Sequence, residues 1–308
     1  MKNRKICIVG YGKHVKNTII PSLNSNPRLI KIVTQKKIDC YETFSNIKSA
    51  VKKLPKDYIF FNSTPPKFHY LTSKLILNSG FNLIVEKPLC INVNQLNQLY
   101  RIAKKKKLFI FENMMYFYSK QFTLLKKILK KKDIKKIDIN FSIPRFKKKS
   151  FRSENNLESS ILYDLGCYPF SLISYFKFNS DNFKVFFKKK SNKLSYIKIF
   201  FLAKNIEFNI TVAVYKVYKN YLQISYKNKS IYRLNYFFYG KKIKKINYFQ
   251  SIDKKKEFFK ITEENLFKNI LNFSNEKLLK LCSFQYLIIK RYLISLNQIK
   301  KKLNYSPY

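Results

Sequence analysis

Between Lys5 and about Glu112, short apolar runs alternate with helix-length amphipathic segments, and nothing else in the 308-residue sequence restricts the fold as strongly. The runs are continuously apolar rather than alternating, as expected of strands covered on both faces, and the segments between them are long enough for crossover helices. The pattern predicts strands at Lys5–Val9, Leu29–Thr34, Tyr58–Asn62, Asn82–Val85 and Leu108–Phe111. Helices are predicted at Lys16–Asn24, Thr43–Lys53, Lys67–Ser79 and Asn92–Lys106. Right-handed crossovers wind such a series into an α/β, Rossmann-type domain with a parallel sheet.

After about Tyr118 the pattern changes. A helix is expected near Lys120–Lys130, a strand near Lys136–Ile143 and a helix across Ile161–Phe176. From Phe183 to Phe249, Val, Ile, Tyr and Phe recur with polar residues and with turn pairs at Lys204-Asn205, Lys219-Asn220 and Tyr239-Gly240. That spacing predicts an antiparallel meander. Helices at Glu263–Phe273 and Lys277–Lys302 close the chain. Single cores stop growing near roughly 250–300 residues, so two domains are expected: residues 1–118, and an α+β domain of residues 119–308 with a large open, mainly antiparallel sheet. No repeat of fixed period points to a solenoid.

Sixty-three Lys and Arg stand against seventeen Asp and Glu, a formal charge of +46. Such an excess suits a polyanionic partner. Here it is almost all Lys, comes with many Asn, Ile, Phe and Tyr and only five Gly, and is scattered in short runs such as Lys104–Lys107, Lys147–Lys149 and Lys188–Lys190. These are the residues of A/T-rich codons, so codon bias is the preferred account, and neither specific nucleic acid nor membrane is expected as a partner. Cysteines 7, 40, 90, 167 and 282 are odd in number and lack C-x-x-C spacing, against both a disulfide framework and a zinc site. The first apolar run, Ile6–Val9, ends at Gly10, and no stretch approaches the roughly 20 apolar residues of a membrane span. A cytoplasmic protein is expected.

Four sites stand at predicted strand ends, the edge at which open α/β sheets bind ligands. Gly10-Tyr11-Gly12 follows the first strand, where glycines allow a tight turn and close approach of a pyrophosphate. Val15 occupies the place of a third glycine, so a plain strand-to-helix turn is the alternative. Thr34-Gln35-Lys36-Lys37 ends the second strand with no acid for a ribose 2′-hydroxyl and two lysines for a 2′-phosphate, favouring NADP over NAD. Ser63-Thr64-Pro65-Pro66-Lys67-Phe68-His69 follows the third strand, and Glu86-Lys87-Pro88-Leu89 follows the fourth. The proline fixes the backbone after Lys87, which is thereby well placed to meet a substrate.

In identity, order and spacing, Gly10-Tyr11-Gly12, Thr64-Pro65 with His69, and Glu86-Lys87-Pro88 resemble the Gfo/Idh/MocA oxidoreductases. Glu112-Asn113-Met114-Met115-Tyr116 is similar to the domain-crossover segment of members that handle activated sugars. Phe151-Arg152 precedes Tyr163-Asp164-Leu165-Gly166-Cys167-Tyr168-Pro169, which resembles the D-x-G-x-H or D-x-G-x-Y signature of the second domain. The resemblance spans nearly the whole chain, the last third by pattern rather than motif.

It implies a nicotinamide-dependent oxidoreductase of sugars, with Gly10, Tyr11, Gly12, Thr34, Lys36, Thr64, Pro65, His69, Glu86 and Lys87 at the cofactor. Tyr168 stands where many members carry a catalytic histidine, and this form resembles glucose–fructose oxidoreductases, dihydrodiol dehydrogenases and nucleotide-sugar 3-ketoreductases. A phenol can protonate the alkoxide formed as hydride reaches a carbonyl, and a nearby ammonium, assigned to Lys87, favours the phenolate. Asp164 lies four residues before Tyr168 and so shares its helical face, where it could orient the tyrosine or a sugar hydroxyl.

Three departures stand out: Val15, Ser171 in place of an acid, and Glu158-Ser159-Ser160 in place of a glycine-rich stretch. His14 reads as a solvated residue at a helix start; His69 is open between cofactor contact, capping and packing. Cys167 reads as a small buried residue, and no metal is expected. The resemblance also implies a homo-oligomer built through the open sheet. A diol, an inositol or a bilin-like ring is an alternative substrate, and a Rossmann-fold binding protein without catalysis is an alternative class.

Overall fold

The computed structural model describes residues 4–23, 26–131, 133–144, 157–178, 180–191, 193–215, 217–239, 243–249, 256–263, 265–271 and 273–304. Lys147–Lys149, Phe151-Arg152 and Gly240 of the Tyr239-Gly240 pair lie outside them. The chain divides into two compact units that are not contiguous in sequence: Met1–Met114 with Phe267–Lys290, and Met115–Leu266 with Arg291–Tyr308.

The first unit begins with β1 (Ile6–Val9), followed by a helical segment of residues 13–22 wound as a π-helix over Val15–Ile19 and ending in α1 (Ile20–Ser22). Then come β2 (Ile30–Val33), β3 (Glu42–Phe44), α2 (Ile47–Lys53), β4 (Ile59–Asn62), α3 (Pro66–Asn78), β5 (Asn82–Val85), α4 (Val93–Lys105) and β6 (Ile110–Glu112). The order β3-β2-β1-β4-β5-β6 is parallel throughout. Every residue of β1, β4 and β6 is buried, as expected of strands covered on both faces. The strand order reverses between β1 and β4, which sets the ligand crevice of such a sheet at their carboxyl ends.

One expectation fails at the margin. Thr43 and Phe44 belong to an edge strand rather than to the start of a helix. The helix cannot begin before Asn46, whose side chain accepts from Ser49 N at 2.9 Å and caps α2.

Two helices from the far end of the sequence complete this unit: α8 (Leu266–Leu271), nearly all of it, and the first part of α9 (Asn275–Asn304). Gln285 on α9 accepts from Glu112 N at 2.7 Å and donates to Glu112 O at 2.8 Å. One amide thus satisfies both backbone groups of an edge-strand residue, as a neighbouring strand would.

The second unit holds α5 (Lys120–Ile128), β7 (Ile134–Pro144), α6 (Ile161–Asp164), α7 (Cys167–Tyr175) and β8 (Lys184–Lys190). β9 (Lys193–Ala203), β10 (Ile206–Tyr215), β11 (Lys219–Tyr226), β12 (Ile231–Asn235), β13 (Ile243–Phe249) and β14 (Lys256–Thr262) follow. The eight strands run β14-β13-β12-β11-β7-β10-β9-β8. Lys204 and Asn205, at φ 50° and 60°, make the tight turn joining β9 to β10.

The expected simple meander is corrected in two ways. β7 inserts between β10 and β11 and runs parallel to β10. Lys219-Asn220 lies within β11 rather than in a turn: Asn220 pairs with Phe141, and its side chain binds Phe238 N and Tyr239 O. Helices α5 and α7 cover one face, where Leu125, Leu129, Leu172 and Ile173 line a small apolar cavity with Ile137, Phe208 and Leu222.

The expected helix Ile161–Phe176 is broken after Asp164. Gly166 N folds back to Ile161 O at 3.1 Å, and a Cβ on Gly166 would stand 2.2 Å from Leu162 O. No residue with a side chain fits this join. Asp164 and Tyr168 therefore lie on two short helices and do not share one continuous helical face.

Candidate functional site

In the first unit the strand ends are tied to one another. Gly10 N donates to Val33 O (3.0 Å), Ser63 N to Val9 O (2.9 Å), Glu86 N to Asn62 O (2.9 Å) and Asn113 N to Val85 O (2.7 Å). These bonds align the turn after each strand along one edge of the sheet, so Gly10, Thr34, Thr64 and Glu86 meet there although the sequence scatters them.

The two glycines differ in what they meet. Gly10, at φ +97°, is pressed against the β4 loop, and a Cβ there would stand 2.8 Å from Ser63 O. Around Gly12 nothing lies within 4 Å of a Cβ position. Gly10 serves packing, and Gly12 leaves open space beside bare backbone, as a pyrophosphate requires. Tyr11 carries Lys16 Nζ over its ring at 4.6 Å. Val15 is fully buried, and the π winding begins at it. At the end of β2, Thr34 Oγ1 accepts from Lys36 N at 3.2 Å, and Lys36 is exposed. These residues fit a dinucleotide.

After β4, sequence reasoning missed Asn62. Fully buried, its Oδ1 accepts from Thr64 N (3.2 Å) and Thr64 Oγ1 (2.8 Å), and its Nδ2 donates to His69 O and Ser73 Oγ. This side chain shapes the Thr64-Pro65 turn from which α3 starts. A polar residue ending the apolar run Ile59–Asn62 was the available signal. His69 is buried, with Nδ1 2.7 Å from Pro88 O and Nε2 2.8 Å from Thr64 O. It joins the β4 and β5 loops through packing and backbone contacts. Burial lowers its pKa, and as a neutral ring it donates to only one of the two carbonyls.

Glu86 and Lys87 are both half-buried, and the Lys87–Pro88 peptide is cis. Glu86 Oε1 is reached by Asn113 Nδ2 at 2.7 Å and by His14 Nε2 at 3.3 Å. Burial opposes the Glu86 charge, but the bonds from His14 and Asn113 and the neighbouring Lys87 outweigh it and hold the carboxyl below its usual range. His14 is thus not merely a solvated residue: it touches Glu86, and its ring stands edge-on to Phe267 at 5.2 Å. The buried Glu112 carboxylate accepts from Leu89 N at 2.8 Å and braces the loop that carries Lys87.

In the second unit Tyr168 is 5% exposed and set among aromatic rings: Phe141 at 5.0 Å, Phe238 at 5.6 Å and Tyr116 at 6.1 Å between centroids. Ser171, in place of an acid, is fully buried, donates to Tyr168 O at 2.9 Å and meets Tyr116 OH at 2.9 Å. That exchange turns a charged position into part of the Tyr168 support. Asp164 is buried, and Cys167 is fully buried, as expected of a small packing residue. Among the described residues no cluster of three or more His, Cys, Asp or Glu could hold a metal, and no helix is long and apolar enough to cross a membrane.

Comparison with known proteins agrees with the Rossmann arrangement of the first unit. Residues 4–114 match the Gfo/Idh/MocA oxidoreductase family, described as having an NAD-binding Rossmann fold. Galactose 1-dehydrogenase of Pseudomonas fluorescens is 30% identical over 99 residues, which are 31% of this chain and 32% of that protein. The chain thus spans about a third of the length of that curated relative. Among solved structures, KijD10, a 3-ketoreductase from Actinomadura kijaniata in complex with NADP and TDP-benzene, superposes with a TM-score of 0.82 at 16% identity, over 96% of this chain and 97% of that one. GnnA, a UDP-N-acetylglucosamine 3-dehydrogenase from Acidithiobacillus ferrooxidans, gives 0.72 at 11% identity over 97% of both chains. At these identities the structural likeness concerns the fold.

Proposed function

We propose, on the premise that residues 4–114 belong to the Gfo/Idh/MocA oxidoreductases and their NAD-binding Rossmann fold, that the chain is an NAD(P)-dependent oxidoreductase acting between a sugar hydroxyl and its ketone. NADP(H) is the proposed cofactor and a nucleotide-linked keto-sugar the proposed substrate class. The observation that carries this reading is the alignment of Gly10, Gly12, Thr64, Glu86 and Lys87 along the carboxyl edge of a parallel sheet. Tyr11 and Gly12 hold the diphosphate in the turn that Gly10 packs into place, Thr34 and Lys36 the adenosine ribose and its 2′-phosphate, and the loops of Thr64, Pro65, His69, Glu86 and Lys87 the nicotinamide end. Nicotinamide supplies or accepts the hydride.

Tyr168 gives its phenolic proton to the oxygen of the carbonyl being reduced, so that C=O becomes CH–OH. The Lys87 ammonium favours the phenolate left behind, and Asp164 orients the tyrosine or a sugar hydroxyl. The aromatic packing and the Ser171 bond behind Tyr168 suit a group that must hold one position. The substrate class follows the relatives: one is a 3-ketoreductase solved with TDP-benzene, another a UDP-N-acetylglucosamine 3-dehydrogenase. A homo-oligomer through the outer face of the eight-stranded sheet belongs to the same reading, and light scattering that finds only monomer rejects that part.

The deciding experiment follows NADPH and NADH oxidation with a panel of nucleotide-linked keto-sugars. Turnover with NADPH and one of them is expected; no turnover and no cofactor binding overturns the reading.

A further inference from the structure

We propose that Tyr218, Tyr236 and Tyr239 form the subsite for the nucleobase of a nucleotide-linked substrate, a platform of phenol rings beside the aromatic wall of Tyr168. The inference rests on the nucleotide-linked substrate class proposed above. The rings of Tyr218 and Tyr236 lie nearly parallel, 14° apart at 6.1 Å between centroids, and both residues are half-buried. Tyr239 is 40% exposed. Phe141 stands edge-on to Tyr218 at 6.4 Å and to Tyr168 at 5.0 Å, so a single ring separates the platform from the proposed proton donor. A nucleotide-linked sugar likewise sets its base apart from the reacting carbon, by a ribose and two phosphates.

One buried residue holds the arrangement together. Asn220 Nδ2 donates to Tyr218 OH at 2.9 Å and to Tyr239 O at 2.5 Å, Asn220 Oδ1 accepts from Phe238 N at 3.1 Å, and the Asn220 carbonyl accepts from Tyr236 N at 2.5 Å. Tyr218 OH in turn donates to Tyr239 O at 2.9 Å. Asn220 thus fixes both the platform and Phe238, whose ring packs on Tyr168 at 5.6 Å. Burial pushes the Tyr218 phenol up to about 12, so it stays neutral and offers a flat face rather than a proton. Tyr236 sits at φ 55°, a left-handed conformation that a bulky residue adopts only at a cost. Glycine or asparagine would make this turn more cheaply; the tyrosine sets a second flat face beside Tyr218. Bases of every kind stack on such faces.

The test uses UDP and TDP as probes in calorimetric titrations of the protein saturated with NADPH, which fills the dinucleotide site. Tyr236→Gly removes a ring and relieves the left-handed backbone, so the fold is kept while affinity for UDP or TDP is expected to fall about tenfold or more. Tyr218→Leu should act in the same direction, and Tyr218→Phe, which keeps the ring, should lose much less. Three results overturn the proposal: neither nucleotide binds the wild type, Tyr236→Gly binds them as tightly as the wild type, or Tyr218→Phe loses as much affinity as Tyr218→Leu. If NADPH itself does not bind, the oxidoreductase reading falls, and the same titrations without it still decide the base subsite.

Discussion

The two sheets carry their candidate chemistry in opposite ways. The parallel sheet keeps it on loops at one edge, where the Glu86 carboxylate is bound by the His14 imidazole and the Asn113 amide, and the Asn62 amide binds Thr64 and the adjoining backbone. The mainly antiparallel sheet contributes Tyr168 from a helix, with Phe141, Phe238 and Tyr116 around its ring. A site made of loops depends on polar bonds that align strand ends. A site made of one buried phenol depends on packing, so mutations should damage the two by different routes.

The sharpest test of that difference is Tyr168→Phe. The ring and its packing stay while the proton donor is lost, so turnover should fall by about 10³-fold with thermal stability and NADPH binding little changed. Lys87→Met should depress the same step less, and a full-rate Lys87→Met enzyme removes that lysine from the mechanism.

Next in size is Gly166→Ala. Its Cβ would stand 2.2 Å from a backbone oxygen, so a loss of about 3 kcal/mol or more in denaturant unfolding is expected. An unaffected midpoint would mean that the α6–α7 join yields.

In the first unit, Gly10→Ala combines φ +97° with a 2.8 Å contact and should cost about 2–3 kcal/mol. Gly12→Ala enters open space, so stability should move by less than about 0.5 kcal/mol while NADPH affinity falls. Equal stability losses would erase the distinction between the packing and the binding glycine.

The last test concerns the second unit alone. Lys244 is 1% exposed, its Nζ has no hydrogen-bond partner among the described residues, and it stands 4.0 Å from Glu263 Oε1. Burial lowers its pKa to about 8. Below that value the folded chain holds a buried charge that the unfolded chain hydrates freely, and the penalty fades as pH rises toward the unfolded value of about 10.4. Lys244→Met removes that pH-dependent penalty while leaving Glu263 buried, so the stability of the variant relative to wild type should be about 1–3 kcal/mol more favourable at pH 7 than at pH 10. A difference between variant and wild type that is the same at both pH values would assign the effect to packing.

Local pattern sufficed for five of the six strands of the first sheet because their runs are mainly apolar and their turns carry glycine, proline or a cap; β3 escaped it because two of its three residues are polar and exposed. Asn82–Val85 lies where the apolar run puts it, just after Gly80 at φ +82°. The predicted Leu108–Phe111 strand instead runs Ile110–Glu112, because Gln285 completes the Glu112 backbone. The broken helix at Gly166 was hidden because apolar residues continue across it. The place of β7 was hidden because pairing between strands far apart in sequence leaves no local mark.

The sequence by itself determined five of the six parallel strands and the motif residues that follow them, since burial on both faces and turn chemistry act over a few neighbouring residues. Only the tertiary structure decided the order of the eight-stranded sheet, the separation of Asp164 from Tyr168 by a helix break, and the bonding of His14 to Glu86. Contacts of that kind join residues as far apart as 72 positions for His14–Glu86 and 173 for Glu112–Gln285. No short-range pattern encodes them, because each exists only once the strands have been laid side by side.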